Sequence, residues 1–313
     1  MTRAFVFPGQ GSQAVGMGKD LADAFVEARY VFEEVDEALG DRLSRVIFEG
    51  PEDSLTLTEN AQPALMTVSL AILRVLEKEG GFEVPRAAAF VAGHSLGEYS
   101  ALAAAGAFDL ATAARLVRTR GRAMQEAVPV GEGAMAALIG IGLDQAAAIA
   151  AEAAEDEVCS TANDNAPGQV VVSGARAAVE RAVEIAGERG ARKAVMLPVS
   201  APFHCAMMAP AADVMAEALA NVEVRVPASA LVANITAEKT SDPDTIRRLL
   251  VEQVTGMVRW RESVLYMKDC GVETLVEVGA GRVLAGLGRR IDRDLGVLSV
   301  QTPSDVEVFL KSL

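Results

Sequence analysis

AAAFVAGHSLGEYSALAAAGA, residues 87–107, changes character twice along its length. It opens with AAAFVAG (87–93), an unbroken apolar run of strand length, the form taken by a strand buried on both faces of a sheet. It closes on an alanine-rich segment that favours helix. Between them GHSLG (93–97) fits G-x-S-x-G, whose glycines allow a turn tight enough to push a serine hydroxyl into solvent at the top of a strand. Strand, sharp turn and helix in that order predict an α/β fold with Ser95 as a nucleophile, set where a helix N-terminus favours negative charge near a reacting carbonyl.

Working outward towards the N-terminus, AQPALMTVSLAILRVLEKEG (61–80) predicts a long amphipathic helix capped by its final glycine. LADAFVEARYVFEEVDEALG (21–40) reads as a further helix and AFVF (4–7) as a short buried strand. Towards the C-terminus, LATAARLVRTRGRAMQEA (110–127) predicts a helix carrying four arginines, which stops at VPVGEG. The units then shorten: GAMAALIG, EVCSTAN, QVVVSG and KAVMLPV as strands, with LDQAAAIAAEAAE and ARAAVERAVEIAGERG as helices between them. Their order is βαββαβ, the ferredoxin-like arrangement. It marks residues 128–198 as a smaller subdomain inserted into a larger, α/β-hydrolase-like one formed by 1–127 and 199–313. SALVANIT (229–236), helical TIRRLLVEQVTG and RESVLYMKDCG, strand-like ETLVEVG (273–279) and helical RVLAGLGRRIDRD resume the larger layer.

Composition narrows the class. With 313 residues, 51% of them hydrophobic and only 4% aromatic, the chain suits a helix-and-sheet enzyme and can bury a large core. A formal charge of −14 argues against nucleic acid or an anionic membrane as partner. The cysteines, Cys159, Cys205 and Cys270, are odd in number and lack metal-ligand spacing, so neither a disulfide framework nor a metal site is expected, and a reducing cytoplasm fits. MTRAFVFPGQG has too few apolar residues for a signal-peptide core, and the apolar stretches are broken well short of a membrane span. A soluble, cytoplasmic enzyme is expected.

A serine hydroxyl needs a base to take its proton, and the chain has two histidines. His94 stands inside the turn, where neighbouring side chains diverge. His204, in PVSAPFHCAMM (198–208), follows an apolar strand on a proline-stiffened loop and is the expected base. Asp109, Asp144 and Asp164 lie between serine and histidine, but none has the setting of a triad acid, so the imidazole's orienting group need not be a carboxylate. Among the arginines of RLVRTRGR (115–122), one placed like Arg120 near the helix end can grip a carboxylate in a cleft with two parallel hydrogen bonds. FPGQGSQ (7–13) raises a different possibility. Gly9, Gly11 and Ala14 satisfy a loose dinucleotide fingerprint, yet helix stands where its second strand should be. A P-loop ending at Lys19 fails as well, because Gln13 occupies the first glycine position and Asp20 that of the Ser/Thr.

Taken together, FPGQGSQ (7–13), GHSLGEYSA (93–101), RGRAMQEAVP (120–129), NDNAPGQVVVSG (163–174), PVSAPFHCAMM (198–208) and EVGAGRVLAGL (277–287) resemble the acyltransferase family of fatty-acid and polyketide synthesis, in its malonyl-CoA:acyl carrier protein transacylase branch. The resemblance is collinear over nearly the whole chain. It implies that Ser95 takes a malonyl group from malonyl-CoA and passes it to the phosphopantetheine thiol of acyl carrier protein, with no cofactor, in a monomer. His204 would serve as base and then acid, steadied by the main-chain carbonyl of Gln253. The backbone N–H groups of Gln10 and Leu96 would form the oxyanion hole, which makes an oxyanion rather than a nucleotide the object of the glycine-rich loop. Arg120 would bind the malonyl carboxylate, Phe203 would exclude α-branched acyl groups, and Asn163 and Asn165 would line the cleft between the subdomains. Arg192, Lys193, Arg289 and Arg290 would dock the acidic carrier protein.

Overall fold

The computed structural model describes residues 2–312. In chain order β1 (Arg3–Phe7) and β2 (Phe90–Gly93) begin one sheet, and β3 (Gly133–Ile139), β4 (Cys159–Ala166), β5 (Gln169–Ala175) and β6 (Lys193–Met196) form a second. The chain then returns to the first with β7 (Ala230–Val232), β8 (Lys239–Thr240), β9 (Thr274–Val278) and β10 (Gly296–Val300). The first sheet has the order β10-β9-β1-β2-β7-β8 and is parallel except at its edge strand β8.

Both faces of this sheet are covered, which is why its strands read as continuous apolar runs. Phe5, Phe7 and Val91 belong to the core beneath the helices Thr58–Gly80 and Leu110–Glu126, while Ala4, Val6, Phe90 and Ala92 pack with Trp260, Val264, Leu284 and Leu287. Each large aliphatic side chain so removed from water stabilises the fold by roughly 1.5–3 kcal/mol. From β1 the chain adds strands on the β2 side first and on the β9 side last. In such sheets the crevice lies beyond the carboxyl ends of the strands where the order reverses.

The second sheet is antiparallel, in the order β4-β5-β3-β6. Helices Leu143–Ala154 and Arg176–Glu188 bury Ile149, Ala153, Val179 and Ala182 against Leu138, Val170 and Val172. The expected α/β class with a ferredoxin-like second sheet is what the chain adopts. A seam ties the sheets together: Asp164 N–H donates to Val258 O (3.0 Å), Val258 N–H donates to Ala162 O (2.9 Å), and the Arg261 guanidinium meets the buried Asp164 carboxylate at 2.8 Å.

Several local expectations need correction. The segment 21–40 is two helices, Lys19–Ala24 and Val26–Leu39, because Phe25 is extended (φ −128°, ψ 123°). The long helix Thr58–Gly80 includes Gly80, and the left-handed cap is Gly81 (φ 58°). Only 90–93 of the apolar run 87–93 is strand, since Val84–Ala87 forms a helical turn. β10 and the closing helix Pro303–Leu310 carry weak periodicity and have no counterpart in the sequence reading. No helix among the described residues is long and apolar enough to cross a membrane.

Candidate active site

β1 and β2 end in register, Phe7 beside Gly93, and β7 flanks β2 with Val232 beside Ala92. The loops leaving these three strands therefore emerge side by side and deliver Gln10, Ser95 and Asn234 to one place. Ser95 has φ 53°, a left-handed conformation that a non-glycine residue keeps only where its surroundings enforce it. Close approach accounts for the flanking glycines. A Cβ on Gly93 would lie 1.9 Å from the Gly97 carbonyl carbon, and one on Gly97 would lie 2.2 Å from Phe7 O. Asn234 clamps the turn: its Oδ1 accepts from Ser95 N–H (2.8 Å) and its Nδ2 donates to Gly93 O (2.7 Å).

His204 is buried, with φ 60°, on the loop before the short helical turn Ala206–Met208. Its Nδ1 faces two carbonyl oxygens, Gln253 O at 2.9 Å and Gly256 O at 3.1 Å, so Nδ1 carries the hydrogen. Nε2 is then the acceptor, and the Ser95 hydroxyl, 2.8 Å away, donates to it. Burial, with help from the Arg120 charge, pushes the imidazole down to about 3 against the pull of its backbone acceptors. It is neutral at physiological pH, with Nε2 as its acceptor. None of the aspartates reaches it: Asp109 caps the helix Leu110–Glu126 through Thr112, Asp164 pairs with Arg261, and Asp144 lies in the first turn of the helix Leu143–Ala154.

Arg120 is 1% exposed. Its Nη1 donates to Gln62 Oε1 (2.7 Å), and its Nη2 donates to both Gln253 Oε1 (2.9 Å) and Ser95 Oγ (3.0 Å). The guanidinium also lies over the Tyr99 ring at 5.8 Å. A fixed cation thus touches the hydroxyl that a carboxylate-bearing acyl group would esterify.

The glycine-rich loop abuts the elbow, since a Cβ on Gly9 would come within 2.7 Å of His94 O. The Gln10 and Leu96 backbone N–H groups donate to no protein acceptor among the described residues. Beside Gln10, a hollow of about 410 Å³ is lined by Leu57, Val199 and Ser200. Phe203 is buried in the main core just before His204. Asn165 Oδ1 lies 2.8 Å from His94 Nε2, linking the small sheet to the elbow, and the His94 ring tilts against Trp260 at 5.8 Å. Asn163 is engaged through its backbone, paired with Val171 and bridging to Val258. Of the four basic residues, Arg192 and Arg290 lie at the β4–β5 turn, and Lys193 begins β6 opposite Ile139, whose other partner is Gln169. Arg192 lies under Gly140, Gly140 N–H donates to Gly168 O, and Arg290 Nη1 donates to Gln169 Oε1 (2.5 Å). Arg289 instead borders a hollow shared with Arg282 and Val297.

Sequence reasoning missed Asn234, Gln62, Glu98 and the side chain of Gln253. An acid within the otherwise apolar helix GEYSALAA was a signal for Glu98. Nothing local marked the other three, because their partners come from distant segments.

Comparison with known proteins follows the same lines. The family model for the acyl transferase domain matches residues 4–293. Over 98% of each chain the sequence is 47% identical to the malonyl CoA-acyl carrier protein transacylase of Escherichia coli (strain K12). The fold superposes on the acyl-carrier-protein S-malonyltransferase of Bartonella henselae with a TM-score of 0.98, at 56% identity, covering 100% of this chain and 99% of that one. A malonyl-transacylase solved in complex with a type II PKS acyl-carrier protein gives a TM-score of 0.97 at 42% identity, with both chains fully covered.

Proposed function

The chain belongs to the acyl transferase family, and on that premise we propose that it moves a malonyl group from malonyl-CoA to the phosphopantetheine thiol of acyl carrier protein through an ester on Ser95, supplying fatty-acid synthesis. The observation that carries this reading is the Arg120 Nη2 held 3.0 Å from Ser95 Oγ. A buried guanidinium at the nucleophile suits an acyl chain that ends in a carboxylate.

In the first half-reaction His204 Nε2 takes the Ser95 proton as Oγ attacks the thioester carbonyl. Gln10 and Leu96 N–H groups receive the oxyanion, worth on the order of 10²-fold or more in rate for each donor. The intermediate collapses by breaking the C–S bond, and His204 returns the proton to the departing CoA sulfur. In the second half the carrier thiol gives its proton to His204 and attacks the ester carbonyl, and as the C–O bond to Ser95 breaks His204 returns the proton to Oγ. This is ping-pong transfer. Gln253 O holds His204 in the required tautomer, Arg120 binds the malonyl carboxylate, and Phe203 narrows the pocket against an α-methyl group, a discrimination of about 1–3 kcal/mol. Asn165 fixes His94 beside the elbow, and Asn163 keeps its strand in register at the cleft.

Intact-mass measurement tests the reading. Mixing with malonyl-CoA is expected to add one malonyl group, which holo-carrier protein then removes far faster than water does. Equal loss to water would make the chain a thioesterase and end the transferase proposal.

Carrier docking gives a separate expectation. Reversing Lys193 and Arg290 to glutamate is expected to raise the KM for carrier protein about tenfold, as loss of steering charges does, while leaving loading from malonyl-CoA unchanged. An unchanged KM would remove the rim around the β4–β5 turn from the docking surface. A polyketide-type carrier as natural acceptor is the second reading, favoured by the likeness to the transacylase solved with a type II PKS acyl-carrier protein. Transfer rates to the two carriers, measured side by side, decide between them.

A further inference from the structure

Glu98 lies in the first turn of the elbow helix Gly97–Ala104, three residues after Ser95, and is 1% exposed. Its Oε2 accepts from Gln253 Nε2 (2.6 Å) and Asn234 N–H (3.3 Å), while Oε1 has no hydrogen-bond partner among the described residues. The mechanism above makes no use of it, yet it touches both residues that organise the site. Asn234 clamps the elbow, and Gln253 reaches His204 with its main-chain oxygen and Arg120 with its side chain.

A buried glutamine amide can present either end to a neighbour, and here the choice matters. Gln253 Nε2 donates to three acceptors, the Glu98 carboxylate (2.6 Å), Ser95 O (3.0 Å) and Asn234 Oδ1 (3.4 Å), of which the carboxylate is the shortest contact, and this turns Oε1 towards Arg120 Nη2. Reversed, the amide would set its own N–H groups against the guanidinium. The same Nη2 donates to Ser95 Oγ, so Glu98 acts on the nucleophile's cation through one amide. The titratable groups interacting with it are Arg120, from the helix Leu110–Glu126, and Tyr99 on its own helix. From Pro243–Thr255 and the loop after β7 come only the neutral Gln253 and the Asn234 N–H.

We propose that Glu98 is a positioning residue that fixes the Gln253 amide and thereby holds Arg120 at Ser95, and that it takes up a proton from solvent when the acyl group's carboxylate pairs with Arg120. The second part rests on the malonyl reading above. In the free site one buried cation faces one buried carboxylate across an amide. A malonyl group adds a second carboxylate to the same guanidinium, leaving a net buried negative charge unless one carboxylate is protonated. Glu98 is the one disposed to accept the proton: burial pushes it up to about 7, against the hydrogen bonds from Gln253 and Asn234 and the Arg120 charge. A malonyl carboxyl in direct contact with Arg120 stays ionised.

Proton uptake is measured with an indicator dye in weak buffer while intact mass follows acylation in parallel. At about pH 8, where free Glu98 is ionised, malonyl loading is expected to take up on the order of one proton per acyl group beyond the acetyl-CoA baseline. At about pH 5.5 the difference should vanish, because Glu98 is already protonated. Glu98→Gln, which keeps an acceptor oxygen for Gln253 and is neutral as the protonated carboxyl is, should show no extra uptake at either pH. If mass shows malonyl on Ser95 with no uptake difference from acetyl, or uptake persists at the lower pH or in Glu98→Gln, the role assigned to Glu98 fails and the transferase reading stands. If no malonyl is added at all, the transferase reading itself fails. Should Glu98→Gln not fold, the malonyl–acetyl difference in the unaltered protein decides the question alone.

Discussion

Ser95→Ala, His204→Ala and the double replacement are expected to lose malonyl loading to nearly the same extent, on the order of 10⁴-fold or more in rate. The equality follows from geometry. Ser95 Oγ has one base, the Nε2 at 2.8 Å, and that base is held by Gln253 O and Gly256 O with its acceptor nitrogen aimed at the hydroxyl. Without His204 the hydroxyl keeps its proton, and without Ser95 the imidazole has nothing to deprotonate, so removing the second adds little. Folding should survive in Ser95→Ala, because the elbow is clamped through the Ser95 N–H and the Gly93 carbonyl, neither of which the replacement touches. The pH dependence has a definite sign. Burial and the Arg120 charge hold the imidazole down to about 3, so the base is neutral above that value and loading should lose it only in stronger acid. Stopped-flow loading rates and thermal unfolding of the three variants check this. A His204→Ala protein within tenfold of the unaltered rate would remove histidine from the mechanism.

How much of this was legible in the sequence depends on where each residue's partners sit. The elbow announced itself because its strand, its glycines and its helix are contiguous, and a chain with two histidines leaves little choice of base. The fold class was readable for the same reason: apolar runs buried on both faces and alanine-rich helices are local patterns. Gln253 is different. Its backbone oxygen meets His204, a role any residue type could fill, so only the resemblance to a family pointed to it, while its side-chain bonds to Arg120 and Glu98 had no local sign. Asn234 sat inside an apolar strand segment. It reaches Ser95 because β7 lies beside β2, and the sequence does not state strand order. The extended Phe25 and the helical turn that ends at Ala87 interrupt runs whose local apolar pattern is continuous, which periodicity cannot register.

Arg120→Ala should change the choice of acyl group more than any other replacement outside the Ser95–His204 pair. The malonyl-to-acetyl ratio of kcat/KM is expected to fall on the order of 10²-fold, the scale set by truncating one partner of a buried, hydrogen-bonded charge pair. The ratio is the right quantity because Arg120 also supports the fold. It satisfies Gln62 and Gln253, and its removal leaves the Glu98 carboxylate without a compensating charge and opens a cavity beside Tyr99. Any loss of folded protein lowers malonyl and acetyl transfer alike and cancels in the ratio. Arg120→Lys sharpens the argument. An ammonium keeps the charge, but as a compact centre on a flexible stem it cannot reproduce a fork that engages Gln62 with one nitrogen and both Gln253 and Ser95 with the other. Its ratio should fall between the other two. A malonyl preference unchanged in Arg120→Ala would mean that the acyl carboxylate is bound elsewhere, and the contact at Ser95 Oγ would then serve only to orient the nucleophile.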